Sequence, residues 1–273
     1  ISSKLHPRLS TSAKWIWTVY FLLTLACVLS FMAFGLGWFD SINYAMGSTA
    51  TGGFSTHNDS AEFFRSPAIE YVATLYCFLA GANFTLLYTP ALRRSLKPMW
   101  KNAEFKFYLF VVLAFTLFIM IELMLYNGYD VEKAFRCGIF QVVSFITTTG
   151  MFNDDAAKWP HVTWVVLATC MFLGACSGST SGGFKSIRSL MIIKIIRNEF
   201  KQILHPNAVL PMHIDGASIS QQKRITLLAF LAGYLMLCLG SSFIIIEAGV
   251  DNTNASTIVL SSIGNVGPTL GIE

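Results

Sequence analysis

The sequence predicts an all-α membrane protein made of repeated units, each a membrane helix, a short half-helix, a glycine-bearing loop and a second membrane helix. Three observations predict this. Of 273 residues, 54% are hydrophobic and 12% charged, against about 25% charged in a soluble domain; mean hydropathy is +0.57. Long apolar segments alternate with short amphiphilic ones in one recurring order. Each short segment runs into a stretch of Thr, Ser or Asn with Gly.

Four long apolar segments lie at roughly 15–39, 68–92, 105–127 and 225–248. Each has the ~20 residues a helix needs to cross ~30 Å of hydrocarbon. The first is too long for a signal-peptide core and lacks a cleavage-like end. Half-helices are expected at 40–48, 131–146 and 252–263, opening on Asp40, Asp130 and Asp251, a residue type that caps helix N-termini. The order of span, half-helix, run and span occurs twice and begins a third time, which is an internal repeat.

The runs are Thr49-Ala50-Thr51-Gly52-Gly53-Phe54, Thr147-Thr148-Thr149-Gly150-Met151-Phe152 and Gly264-Asn265-Val266-Gly267-Pro268. Aligned on Thr-x-Thr-Gly, Gly52 matches Gly150, with Gly267 as the third member. Extended backbone at membrane depth is unfavourable unless it lines a cavity. Repeated around an axis, it supplies carbonyl rings that replace a cation's hydration shell. A half-helix aiming its C-terminus at such a pore adds partial negative charge. One such loop would read as an ordinary interfacial turn; three at matching positions read as a pore.

The fifth apolar segment, 161–197, would be about 55 Å long as one helix. Gly174-Ala175-Cys176-Ser177-Gly178-Ser179-Thr180-Ser181-Gly182-Gly183-Phe184-Lys185 interrupts it, and the helix is expected to unwind there, below the runs, as a gate. Gly174, Gly178 and Gly182 also fit a small-residue helix-packing pattern. The stretch fails as a phosphate loop because Phe184 stands where Lys is needed. Ser177 or Ser179 as a nucleophile lacks a base, since the histidines at 6, 57, 161, 205 and 213 lie at membrane edges or outside. An intramembrane cation, Lys185, is functional by default. Glu122 and Glu247 fall near the outer ends of their spans.

The net charge of +4 reflects loops rather than a nucleic-acid surface. Lys4, Arg8 and Lys14, then Arg93, Arg94, Lys97 and Lys101, then Arg197, Lys201, Lys223 and Arg224 mark ends that the positive-inside rule makes cytoplasmic. The opposite ends lean acidic, with Asp40, Asp59, Glu62, Asp130, Glu132, Asp154, Asp155 and Asp251 among His57, Arg65, Lys133 and Lys158. Such a mouth concentrates cations. The six cysteines form no Cys-x-x-Cys and no metal spacing with His.

The strings Ser48-Thr49-Ala50-Thr51-Gly52-Gly53-Phe54-Ser55-Thr56-His57, Thr147-Thr148-Thr149-Gly150, Cys176 to Lys185 and Gly264 to Pro268, in this order, resemble the Trk/Ktr/HKT superfamily of cation transporters. The resemblance covers nearly the whole chain. It implies four membrane–pore–membrane repeats around one pore, of which residues 1–100 would be the second and 101–204 the third. Residues 205–273 would be a cytoplasmic loop and the first part of the fourth. The first repeat and the last span would be missing from this sequence, as in a fragment.

The resemblance further implies potassium uptake across a bacterial inner membrane through a gated pore, with no enzymatic activity and no organic cofactor. Thr49, Ala50, Thr51, Gly52 and Gly53, then Thr147, Thr148, Thr149, Gly150 and Met151, then Asn265, Val266 and Gly267 would form the selectivity filter. Backbone carbonyls of Thr51, Gly52, Thr149, Gly150, Val266 and Gly267 would hold K⁺. Gly174, Ala175, Cys176, Ser177, Gly178, Ser179, Thr180, Ser181, Gly182, Gly183 and Lys185 would be the gating loop. A homodimer and a cytosolic ring of nucleotide-binding RCK subunits of the TrkA type would be the partners. Met151 departs from the usual Phe, and Thr269 from the usual Gly. A cation-coupled secondary transporter, carrying K⁺ with H⁺ or Na⁺ or a small solute, is the alternative.

Overall fold

The computed structural model describes residues 9–93, 97–206 and 210–270. Lys4, His6, Arg8 and Arg94 lie outside them. Eleven α-helices are present among the described residues: α1 Leu9–Ala33, α2 Trp38–Thr49, α3 Pro67–Gly81, α4 Phe84–Arg93, α5 Lys97–Lys101, α6 Ala103–Tyr126, α7 Val131–Ile146, α8 His161–Leu173, α9 Ser186–Leu204, α10 Gln221–Glu247 and α11 Asn252–Gly264. A two-stranded hairpin, β1 His213–Ile214 with β2 Ala217–Ser218, precedes α10.

Among the described residues, three helices are long and apolar enough to cross a membrane, at Ala13–Ala33, Ala103–Tyr126 and Gln221–Glu247. The expected span at 68–92 is a correction: it breaks into α3 and α4 at Ala82 and Asn83. The cause is tertiary. A Cβ on Gly81 would meet Thr147 Cγ2 at 2.5 Å and the Tyr108 hydroxyl at 2.7 Å, so any larger residue there would have to push these buried side chains aside. Asn83 Oδ1 then accepts from the Thr85 N–H at 2.9 Å and starts α4 afresh.

The short helices α2, α7 and α11 are the three half-helices. Asp130 and Asp251 cap α7 and α11, accepting from the Glu132 and Thr253 N–H groups. Asp40 does not cap α2, which starts two residues earlier after Gly37. Its carboxylate instead accepts from Thr56 Oγ1 at 2.7 Å and faces His57 Nε2 at 3.6 Å, tying the helix to the chain leaving the first run.

Packing follows the repeat. Cys27 and Phe31 of α1, Tyr44 and Ala45 of α2 and Ala73 of α3 share one buried cluster. Val112 and Ile119 of α6, Val142 and Ile146 of α7 and Leu167 and Cys170 of α8 share another. Met212, Ile214 and Ile219 of the hairpin region close a third with α9 and α10. The sequence reading assigned this last stretch only as a loop.

Candidate functional site

The three runs adopt one backbone conformation. The N–H groups of Gly52, Thr149 and Val266 each donate to the carbonyl five residues earlier, on Gly47, Ser144 and Ser261, at 2.9, 2.8 and 2.8 Å. The N–H groups of Thr51, Thr148 and Asn265 each donate three residues back, to Ser48, Phe145 and Ser262. Those same three residues have positive φ, at 52°, 56° and 59°. Two residues on, Gly53, Gly150 and Gly267 are also positive, at 68°, 78° and 105°.

This register corrects the string alignment by one residue. Gly53, not Gly52, is the equivalent of Gly150 and Gly267, and the equivalent carbonyl pairs are Gly52 with Gly53, Thr149 with Gly150, and Val266 with Gly267. In a Gly-Gly pair the letters alone leave the choice open; the turn from the half-helix decides it.

The runs also interlock. A Cβ on Gly53 would overlap the Thr149 carbonyl oxygen, and one on Gly150 would overlap the Val266 carbonyl oxygen. Each glycine therefore seats its run against a carbonyl of the next. Hydroxyls hold the second run: Thr147 Oγ1 donates to the Val143 carbonyl at 2.7 Å and lies 2.8 Å from Thr149 Oγ1, and Ser144 Oγ donates to the Met151 carbonyl at 2.5 Å. The Met151 side chain is fully buried in the first unit's core beside Tyr44 and Phe140.

The segment from Gly174 to Lys185 is non-helical, with positive φ at Gly174, Gly178, Gly183 and Lys185. The helix-packing reading of its glycines therefore fails, because they lie on no helix. The loop reaches all three half-helix ends. Thr180 Oγ1 donates to the Thr49 carbonyl at 3.1 Å, the Gly182 N–H donates to Thr148 Oγ1 at 2.6 Å, and a Cβ on Gly182 would stand 2.5 Å from the Gly264 carbonyl oxygen. At its base the Cys176 N–H donates to the Gly81 carbonyl at 3.0 Å, and the Gly178 carbonyl accepts from the Phe84 N–H at 3.1 Å. The α3–α4 break and this loop are thus two halves of one joint. Lys185 Nζ donates to the carbonyl and hydroxyl of Ser181, within the loop itself.

Three charged residues escaped the sequence reading. Glu70 on α3 is 4% exposed and pairs with Arg136 on α7 at 2.6 Å. It also accepts from Asn153 Nδ2, one residue past the second run. Glu104, in the first turn of α6, is also 4% exposed and accepts from Ser177 in the loop. The signal was available: charges inside apolar segments are costly and rarely idle.

Where the second and third runs end, at Phe152 and Pro268, a cavity of about 360 Å³ is lined also by Asp59, Glu62, Gln141, Asp154 and Asp155 together with Thr269 and Leu270. Asp154 accepts from Tyr129 Oη at 2.9 Å and Trp159 Nε1 at 3.0 Å. Burial and then the Asp154 carboxylate hold the Tyr129 phenol well above its ordinary pKa, so it remains a donor. Among the described residues no group of His, Cys, Asp and Glu side chains could hold a metal ion, and the cysteines are free thiols.

Repeated spans, half-helices and interlocked glycine runs define a helical membrane protein built of repeated units. The chain belongs to the TrkH family, described as a cation transport protein, which it matches over residues 1–273; this is a family of transporters, not of enzymes. It is similar to the Trk system potassium uptake protein TrkH of Salmonella typhimurium LT2, at 35% identity over 271 residues, covering 99% of this chain and 56% of that protein. It is equally similar to TrkH of Escherichia coli K12, at 35% over 277 residues with the same coverage. The crystal structure of the potassium transporter TrkH from Vibrio parahaemolyticus superposes with a TM-score of 0.92 at 32% identity, covering 99% of this chain and 58% of that one. The chain therefore spans just over half the length of these relatives.

Proposed function

We propose that this chain supplies the second and third repeats, and the start of the fourth, of a protein that takes up K⁺ across a bacterial inner membrane. The single observation behind this reading is the threefold recurrence of one run conformation, with Gly53 and Gly150 each seated on the next run's carbonyl. In the proposal a partly dehydrated K⁺ passes the carbonyls of Gly52, Gly53, Thr149, Gly150, Val266 and Gly267. Glycine supplies the positive-φ conformation and leaves no side chain in the path. The C-termini of α2, α7 and α11 add partial negative charge beneath them. The acidic cavity is the extracytoplasmic mouth, which gathers cations. The basic ends, with Arg197, Lys201, Lys223 and Arg224, face the cytoplasm. A homodimer and a cytosolic ring of nucleotide-binding RCK subunits complete the proposed assembly.

The loop from Gly174 to Lys185 is the proposed gate, since its tip contacts the ends of all three half-helices. Deleting residues 178–183 is expected to raise basal K⁺ flux in proteoliposomes holding the complete protein. Flux unchanged from wild type, in a variant that remains monodisperse in detergent, would make the loop a packing element.

A further inference from the structure

The loop is held unevenly. Its tip, from Ser179 to Gly183, touches the half-helices through one hydroxyl and one N–H. Its base is pinned by backbone bonds to the α3–α4 break and by one buried carboxylate. Glu104 Oε1 accepts from the Ser177 N–H at 2.5 Å, and Oε2 accepts from Ser177 Oγ at 2.9 Å. Both oxygens of a side chain in the first turn of a membrane helix thus engage one loop residue, and the Ile187 N–H just past the loop adds a further donor. Lys185, at the far end of the loop, is close enough to interact electrostatically with the same carboxylate. A charged acceptor makes stronger hydrogen bonds than a neutral one, and a buried carboxylate left without donors is costly.

We infer that Glu104 is the positioning residue of the intramembrane loop: its bidentate hold on Ser177 latches the loop's base to α6 and keeps the tip against the half-helix ends. The inference rests on the gate reading above and adds to it the element that sets the gate's resting position. Releasing the latch frees the base to swing on the α3–α4 joint, and the tip loses its seat.

A buried reporter lies beside the latch. Cys176, next to Ser177, is fully buried in the loop's base. In the complete protein, with the partly exposed Cys238 and any other accessible cysteine replaced by Ser, Glu104→Gln and Ser177→Ala should each raise the rate of Cys176 labelling by a membrane-impermeant thiol reagent. The expected rise is about tenfold, as for the loss of one hydrogen bond to a charged group. The double variant should go little further than either single one, because both cut the same contact. Basal K⁺ flux should rise in parallel while the K⁺/Na⁺ flux ratio stays at the wild-type value, since the runs are untouched; a merely destabilising change would lower flux instead. Faster labelling without a rise in flux would uphold the latch and sink the gate reading. Labelling unchanged in both single variants, or additive in the double, would overturn the latch.

Discussion

Gly150→Ser should cut K⁺ flux by an order of magnitude or more and weaken K⁺-over-Na⁺ discrimination in what remains. Two costs combine at this position. Gly150 sits at φ 78°, where a residue with a Cβ loses about 1–2 kcal/mol. The new Cβ would also overlap the Val266 carbonyl oxygen, one of the oxygens proposed to replace water around the ion. That carbonyl must move, and each 1.36 kcal/mol added to the barrier slows the rate about tenfold. Gly53→Ala should behave alike, because its Cβ would overlap the Thr149 carbonyl at φ 68°. Gly52→Ala is the control. Gly52 has no positive φ, and its Cβ would meet only the Phe54 ring, at 3.4 Å, so near-wild-type flux is expected. Isotope flux with each cation separately checks all three variants. A tolerated Gly53→Ala beside a damaging Gly52→Ala would restore the string alignment and overturn the backbone register.

The second large effect is on the fold. Arg136→Ala should destabilise the protein by about 3–5 kcal/mol, the usual cost of leaving one partner of a buried ion pair uncompensated. The Arg136 and Glu70 side chains are 14% and 5% exposed. The pair joins α7 to α3, and Glu70 also holds Asn153, just past the second run. Arg136 is further tied to Glu132, one turn back, at 2.9 Å. Thermal unfolding in detergent should show the loss. Glu70→Gln, which removes the buried charge and keeps an acceptor, should cost less than Arg136→Ala. Equal stability of Arg136→Ala and wild type would mean that the pair does not brace the half-helix.

Much of this arrangement was legible in the residues, and for identifiable reasons. The half-helix Val131–Ile146 has an Asp cap at one end and a Thr/Gly run at the other, so both boundaries are written locally. The interruption after Leu173 is equally local, since four glycines and four hydroxyl residues from Gly174 to Lys185 disfavour a helix. What the sequence hid depended on contacts between distant segments. The break at Ala82 and Asn83 exists because Gly81 packs on Thr147 and Tyr108 and because the loop bonds on either side of it. Asp40 has the chemistry of a cap, but its carboxylate is engaged by Thr56. The register at Gly52 and Gly53 follows from which N–H reaches the Gly47 carbonyl, a matter of turn geometry that a string match does not resolve. Glu70, Glu104 and Arg136 are charges whose sequence surroundings give no partner, and only the fold supplies one.

The central claim is that the glycine runs conduct K⁺ selectively without a second ion. The most direct test is K⁺ and Na⁺ flux into proteoliposomes holding the complete protein, with each ion moving down its own gradient and no pH gradient imposed. Selective K⁺ flux under these conditions, lost in Gly150→Ser, is the predicted result. K⁺ flux that appears only when an H⁺ or Na⁺ gradient is added would contradict it and establish coupled transport instead.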